Sequence, residues 1–347
     1  LDLGASSLSG NLSVTTAGAI TDSGKIVISG TTTLAAGSAN SISLDSTDND
    51  FGGAVVIASA LNATLKDANA LVLGASTLSG NLALSSGGAL TESGAWTVVG
   101  TTTIASAGQD VTLAAANDFG GAVSVAAKNL DLRDKNALTL GTLSLSGGLN
   151  LSSGADLSGS GAVGVALATH IETAGHALSL SNAGNDFVGL VTVLEATNIT
   201  LRDANALRFT GAATGSGSAL SLSAGAALTL GVASSTGAMT LAGSSVALDQ
   251  TSVAGALSVT AGSGAVTQAT DKLVTVAGNT SLSGASIALT NANTFSGTVG
   301  LSTTGAAALR STGALALAAS SIGGNLALSA GGNITDGGVL SVTGTTT

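Results

Sequence analysis

The sequence contains no cysteine, proline or tyrosine, and aromatic residues make up only 2% of its 347 positions. Without cysteine there is no disulfide staple, and the redox compartment is left open. Without proline, every residue keeps the backbone N–H that an interior strand needs for pairing on both sides. The shortage of aromatics excludes the usual large globular core, which buries much of its area in Phe, Tyr and Trp. Charged residues reach only 8%, and 19 acidic against 9 basic residues give a net charge of −10. Nucleic acid is excluded as a partner, because it requires a basic footprint. No apolar run approaches the ~18–20 residues that cross a membrane, and no basic-then-apolar leader opens the chain.

What remains is aliphatic and small. Hydrophobic residues are 44% of the chain, Gly numbers 50, and the mean hydropathy is +0.55. Disorder, the rival reading of a Gly/Ser/Thr-rich chain, needs low hydrophobicity with much charge or proline. It is rejected.

The dominant feature is repetition, which is read before local structure. "LGASSLSGNLSVTTAGAITDSGKIVISGTTT" at Leu3–Thr33 returns as "LGASTLSGNLALSSGGALTESGAWTVVGTTT" at Leu73–Thr103 and closes the chain as "IGGNLALSAGGNITDGGVLSVTGTTT" at Ile322–Thr347. The expected units are residues 1–70, 71–137, 138–206, a partial 207–245, 246–313 and a partial 314–347, forming one continuous solenoid over 1–347. "NDFGGAV" at Asn49 and Asn117, "NDFVGLV" at Asn185 and "NTFSGTV" at Asn293 keep step. So do "LKDANALVLG", "LRDKNALTLG" and "LRDANALRFTG" from Leu65, Leu132 and Leu201.

Inside each unit a finer period appears. Gly80, Gly100 and Gly121 open the runs "GNLALSS", "GTTTIAS" and "GAVSVAA". Each alternates apolar with small or polar residues, the period of a half-buried strand. No window has a capped 3.6-residue apolar face. Short strands recurring every ~20–25 residues predict an all-β parallel β-helix, about three rungs per unit and roughly 15–17 rungs, each rising ~4.8 Å. Residues 207–245 then amount to two whole rungs, which a solenoid can gain or lose because each layer touches only its neighbours. Gly and Asn are expected at sharp corners needing φ > 0. Phe51, Phe119, Phe187 and Phe295 share one cassette and are expected to plug one local gap per unit.

The string "GNLALSSGGALTESG…VVGTTT…NDFGGAVSV…LDLRDKNALTLG" resembles the repeat region of filamentous haemagglutinin-like exoproteins, the large adhesins of Gram-negative two-partner secretion. The resemblance covers essentially the whole chain. It implies a right-handed coil, export through an outer-membrane pore, and a secreted fibre or adhesin stalk on the bacterial surface that meets host cells, neighbouring cells or glycans. The family's N-terminal secretion domain has no counterpart in residues 1–30, so an interior segment of a longer chain is expected. The partner at either end is then more solenoid, from the same chain or from identical subunits that polymerise end to end.

Candidate chemistry is sparse. His170 and His176 flank Glu172 in "ATHIETAGH", a spacing found once and unsupported by cysteine, so solvated or corner histidines are expected and no metal site. Asp22, Glu92 and Asp336 recur at one cassette position. Glycosidase carboxyls lie roughly 5–10 Å apart, whereas positions three rungs apart are ~14 Å distant, so these read as turn residues. The Lys66–Asp67, Arg133–Asp134 and Arg202–Asp203 pairs read as exposed corners. A Thr ladder would need Thr on every rung, which "GTTT" does not supply. "GGNITDGG" (Gly331–Gly338) does not fit the calcium-binding nonapeptide repeat. A polysaccharide-degrading parallel β-helix is the enzymatic alternative, but it needs one unrepeated cleft with aromatic platforms, and Trp96 is the only Trp. The reading is therefore non-enzymatic, without catalytic residues or cofactor.

Overall fold

A computed structural model describes all residues, Leu1–Thr347. It is all-β, without helix, and its parallel strands stack as a β-solenoid of about 17 turns. No helix is long and apolar enough to cross a membrane. The chain divides into two compact units, Leu1–Ala174 and Gly175–Thr347.

In the first unit the chain passes alternately between two main sheets. Leu82–Ser86 lies on one, Leu90–Glu92 and Trp96–Val98 on the other, and Thr102–Ala105 on the first again. This turn has one straight strand facing two shorter ones, and in others the two are joined, as in Val111–Phe119 and Leu138–Leu145. A further three-stranded sheet joins Ser6–Leu8, Ile26–Ile28 and Asp50–Phe51. Pairing steps advance the chain by 17 to 24 residues, as from Val123 to Leu140 and from Ala35 to Ser59. Alternate residues point inward: Leu82, Leu84, Ile104, Val123 and Val125 are all buried. Stacked aliphatics of this kind, worth about 1.5–3 kcal/mol for each fully buried side chain, supply the core. The second unit repeats the pattern, with Leu220–Ala224, Met239–Gly243 and Leu257–Ala261 in register on one sheet.

The repeat and the turn are not commensurate. From Leu12, three pairing steps lead through Thr32 and Val55 to Leu73. Leu82, the equivalent of Leu12 in the next copy, lies half a turn further along, on the other sheet, paired with Ala63. Leu149, the next equivalent, is back on the sheet of Leu12. In the second unit Leu257 and Leu326 again fall on different sheets. A copy therefore spans three turns and a half, and successive copies present the same cassette on alternate faces.

Glycine is required for two different reasons. Gly37, Gly108 and Gly175 hold φ of 79°, 80° and 80° at one corner of successive copies, as expected for left-handed turns. Gly80, Gly100 and Gly121 do not. A Cβ on Gly100 would lie 2.7 Å from the backbone of Gly80, and one on Gly121 2.4 Å from the carbonyl oxygen of Gly100. These glycines let one turn settle on the next.

Candidate functional site

The cassette around each Phe is a buried polar clamp. Phe51, Phe119, Phe187 and Phe295 are buried at strand ends. The backbone N–H groups of Phe51, Phe119 and Phe187 donate to Oδ2 of Asp67, Asp134 and Asp203 at 3.0, 2.8 and 2.7 Å. Oδ1 of the same carboxylates accepts the N–H two residues on, from Asn69, Asn136 and Asn205. Each Asp thus ties one turn to the next and closes its own corner.

This corrects the sequence expectation for the basic–acidic pairs. Arg133 and Arg202 are exposed and Lys66 half-buried, but Asp67, Asp134 and Asp203 are only 2%, 1% and 1% exposed. The alternation of "LKD" and "LRD" puts the acid on the inward face with the leucine, and the backbone N–H groups it finds there hold it. Burial raises all three carboxyls above the ordinary aspartate range, opposed by the hydrogen bonds they accept.

A second clamp precedes it in three copies. Asn49 Oδ1 accepts the N–H of Ile26 at 2.8 Å, Asn117 Oδ1 that of Trp96 at 2.7 Å, and Asn293 Oδ1 that of Val274 at 2.9 Å. The Asn49 amide donates to Asp22 at 2.6 Å and that of Asn117 to Glu92 at 3.2 Å. Asp22 and Glu92 also receive backbone N–H groups from the following turn, Asp45 and Ser46 for one and Ala115 for the other. They are inter-turn braces, more than the turn residues expected. Burial raises Glu92 as well, against the Ala115 and Asn117 bonds. Asp336 is exposed and accepts the N–H of Gly338.

Outside the core, His170 Nε2 lies 3.5 Å from Glu172 Oε1, both side chains about half exposed. No group of three or more His, Asp or Glu residues is placed to hold a metal. The same outer face carries an open groove lined by Asp110, Asn129, Asp131, Asn150, Ala168 and His170. Sequence reading missed this set except for His170. The available signal was comparative: at Asp131, Asn150, His170 and Glu172 the other copies carry Thr, Ser or Ala.

A parallel stack of near-identical turns, with its conserved-in-copy polar residues turned onto its own backbone, defines a β-solenoid repeat protein. Residues 1–58, 60–126, 127–194, 236–302 and 304–347 match a family described as repeats of unknown function (DUF5649), and the chain belongs to that family. The unmatched residues between 194 and 236 overlap the partial unit expected at 207–245. No curated protein and no solved structure matches the chain.

Proposed function

We propose that this chain is a non-enzymatic structural segment of a secreted fibre or adhesin stalk on a bacterial surface, as the resemblance to filamentous haemagglutinin-like exoproteins implies. One observation supports this reading above the others. The residues that recur from copy to copy, Asn117, Asp134 and their equivalents, bind the backbone of adjacent turns. What the repeat perpetuates is therefore the joint between layers. A chain built this way gains length and resistance to unfolding with every copy.

The test is location and form. Antibodies raised against residues 1–347 are applied to intact cells of the native organism and followed by immunogold microscopy. Labelled fibres at the surface are expected. Label that appears only after permeabilisation overturns the proposal.

A further inference from the structure

In the first unit, one sheet departs from the repeat on its outside alone. Strands Val111–Phe119, Leu130–Asp134, Leu149–Ser153 and Thr169–Glu172 lie in parallel register on four successive turns. Thr112 aligns with Asp131, Asp131 with Asn150, and Asn150 with His170; one column over, Arg133, Ser152 and Glu172 align. The inward residues Leu130, Leu132, Leu149, Leu151 and Ile171 keep the buried pattern. The outward ones change. Asp131 stands where other copies have Thr64, Thr200 and Ala308, and Asn150 where they have Ser13, Ala83, Ser258 and Ala327. His170 replaces Thr33, Thr103, Ser281 and Thr347, and Glu172 replaces Ala35, Ala105 and Ser283.

A coupled exchange accompanies these. Leu167 takes the place of Gly30, Gly100 and Gly344 and is 59% exposed. At those glycines a Cβ would lie 2.3, 2.2 and 2.3 Å from Oδ1 of Asn11, Asn81 and Asn325 on the preceding turn. The residue equivalent to those asparagines is here Gly148, so the side-chain part of that obstruction is absent. The pair of changes sets an exposed aliphatic residue one position before Ala168, which lines the groove.

We propose that this groove binds a neutral, extended glycan. Asn150 Nδ2 donates to Asp131 Oδ1 at 2.9 Å, and Asn129 Nδ2 to Asp110 Oδ1 at 2.8 Å. Asn129 Oδ1 accepts the Gly148 N–H at 2.7 Å, so the atoms left for a ligand are the second carboxylate oxygens of Asp110 and Asp131 and Asn150 Oδ1, an arrangement that suits adjacent sugar hydroxyls. The ladder repeats every ~4.8 Å along the stack, close to the length of one hexose in an extended chain. Asp110, Asp131 and Glu172 outnumber Arg133, and the whole chain carries −10, so anionic polymers are repelled. Ala168, within the groove, offers a small apolar surface to sugar C–H faces. The inference adds a ligand to the stalk reading and does not rest on it.

The test is a titration of the 347-residue chain with cellohexaose, maltohexaose and chitohexaose, followed by saturation-transfer NMR. Saturable binding of at least one is expected. The variant Asp131→Thr/Asn150→Ser/His170→Thr carries residues that other copies hold at the same register, so its fold is retained. Its affinity falls about tenfold or more, the equivalent of one lost charge-assisted hydrogen bond. Thr64→Ala, at the equivalent of Asp131 in the preceding copy, leaves binding unchanged. No saturable binding of any of the three sugars, equal binding by the triple variant, or preference for a hyaluronan hexasaccharide overturns the proposal.

Discussion

Phe119 and Phe295 occupy the same place in two copies of the repeat, yet the groups around them differ. Near Phe119, Asp134 accepts two backbone N–H groups and Glu92 braces Asn117. Near Phe295 the equivalent of Asp134 is Ser311, buried, whose hydroxyl is 3.5 Å from the carbonyl of Ala314. The equivalent of Glu92 is Gln268, which exchanges hydrogen bonds with Asn293 in both directions, at 2.6 and 3.1 Å. The Asn itself does not change. Both carboxylates are thus replaceable by neutral groups, whereas the inward amide that receives a backbone N–H from the turn before is kept. Asn supplies an acceptor and two donors without a charge to desolvate.

That contrast is broken most severely by removing the amide. Asn117→Ala strands the N–H of Trp96 and a lone pair on Leu113 O, and Asn293→Ala does the same to Val274 and Leu289. Each buried group left unpaired costs about 1–3 kcal/mol, so a loss of about 2–5 kcal/mol is expected in both copies. Amide hydrogen exchange at Trp96 and Val274 reads this locally, which matters in a stack that need not unfold as one unit. If only the Asn117 copy loosens, the amide is not the common element.

A smaller effect separates the copies. Asp134→Ser installs the residue that the other copy uses, and the shorter side chain withdraws from the N–H of Phe119 or of Asn136. About 1–3 kcal/mol is lost. Ser311→Ala removes only a long bond, and protection at Phe295 shifts by less than about 1 kcal/mol. Equal losses at the two sites would show that the carboxylate contributes nothing beyond the serine.

Much of this arrangement was legible in the sequence. The repeats, the strand alternation and the absence of helix follow from spacing alone. Two things needed the structure. About three turns per unit is expected from the spacing, but strand periodicity cannot tell which of two similar faces a strand joins; only pairing does, and it adds the half turn that separates Leu12 from Leu82. Asp67, Asp134 and Asp203 were placed outside because an acid beside Lys or Arg usually is. The same alternation that put Leu65, Leu132 and Leu201 inside also put the acids two residues later inside, and it was the better guide.

The buried acids also set a pH dependence. Asp67, Asp134, Asp203 and Glu92 are raised by burial, so the folded chain holds their protons more tightly than the unfolded chain. Their contribution to stability is present below the ordinary carboxylate range, near pH 4, and is lost as pH rises through the raised values. Denaturant midpoints should therefore fall as pH rises above about 4. Asp67→Ser/Asp134→Ser/Asp203→Ser should flatten that slope, while Ser311→Asp should steepen it. A slope unchanged in the triple variant would mean that these carboxylates titrate alike folded and unfolded.

The smallest expected change is a gain, and it concerns a position where both kinds of copy agree. Thr32, Thr102, Thr169 and Thr280 occupy one site in four copies, each buried, each with a side-chain hydroxyl that has no hydrogen-bond partner. Thr102 stacks between Leu82 and Val123, and Thr280 between Leu257 and Val299, so the hydroxyls face aliphatic rows. Thr→Val keeps the branched shape that suits a strand and removes a group whose burial is unfavourable without a bond. Each of Thr102→Val and Thr280→Val should stabilise its turn by about 1 kcal/mol, read as slower amide exchange at the flanking strands. A loss at Thr102 with a gain at Thr280 would place a use for the hydroxyl in the regular copies alone, and would extend the contrast between Phe119 and Phe295 to a site where the two copies have the same residue.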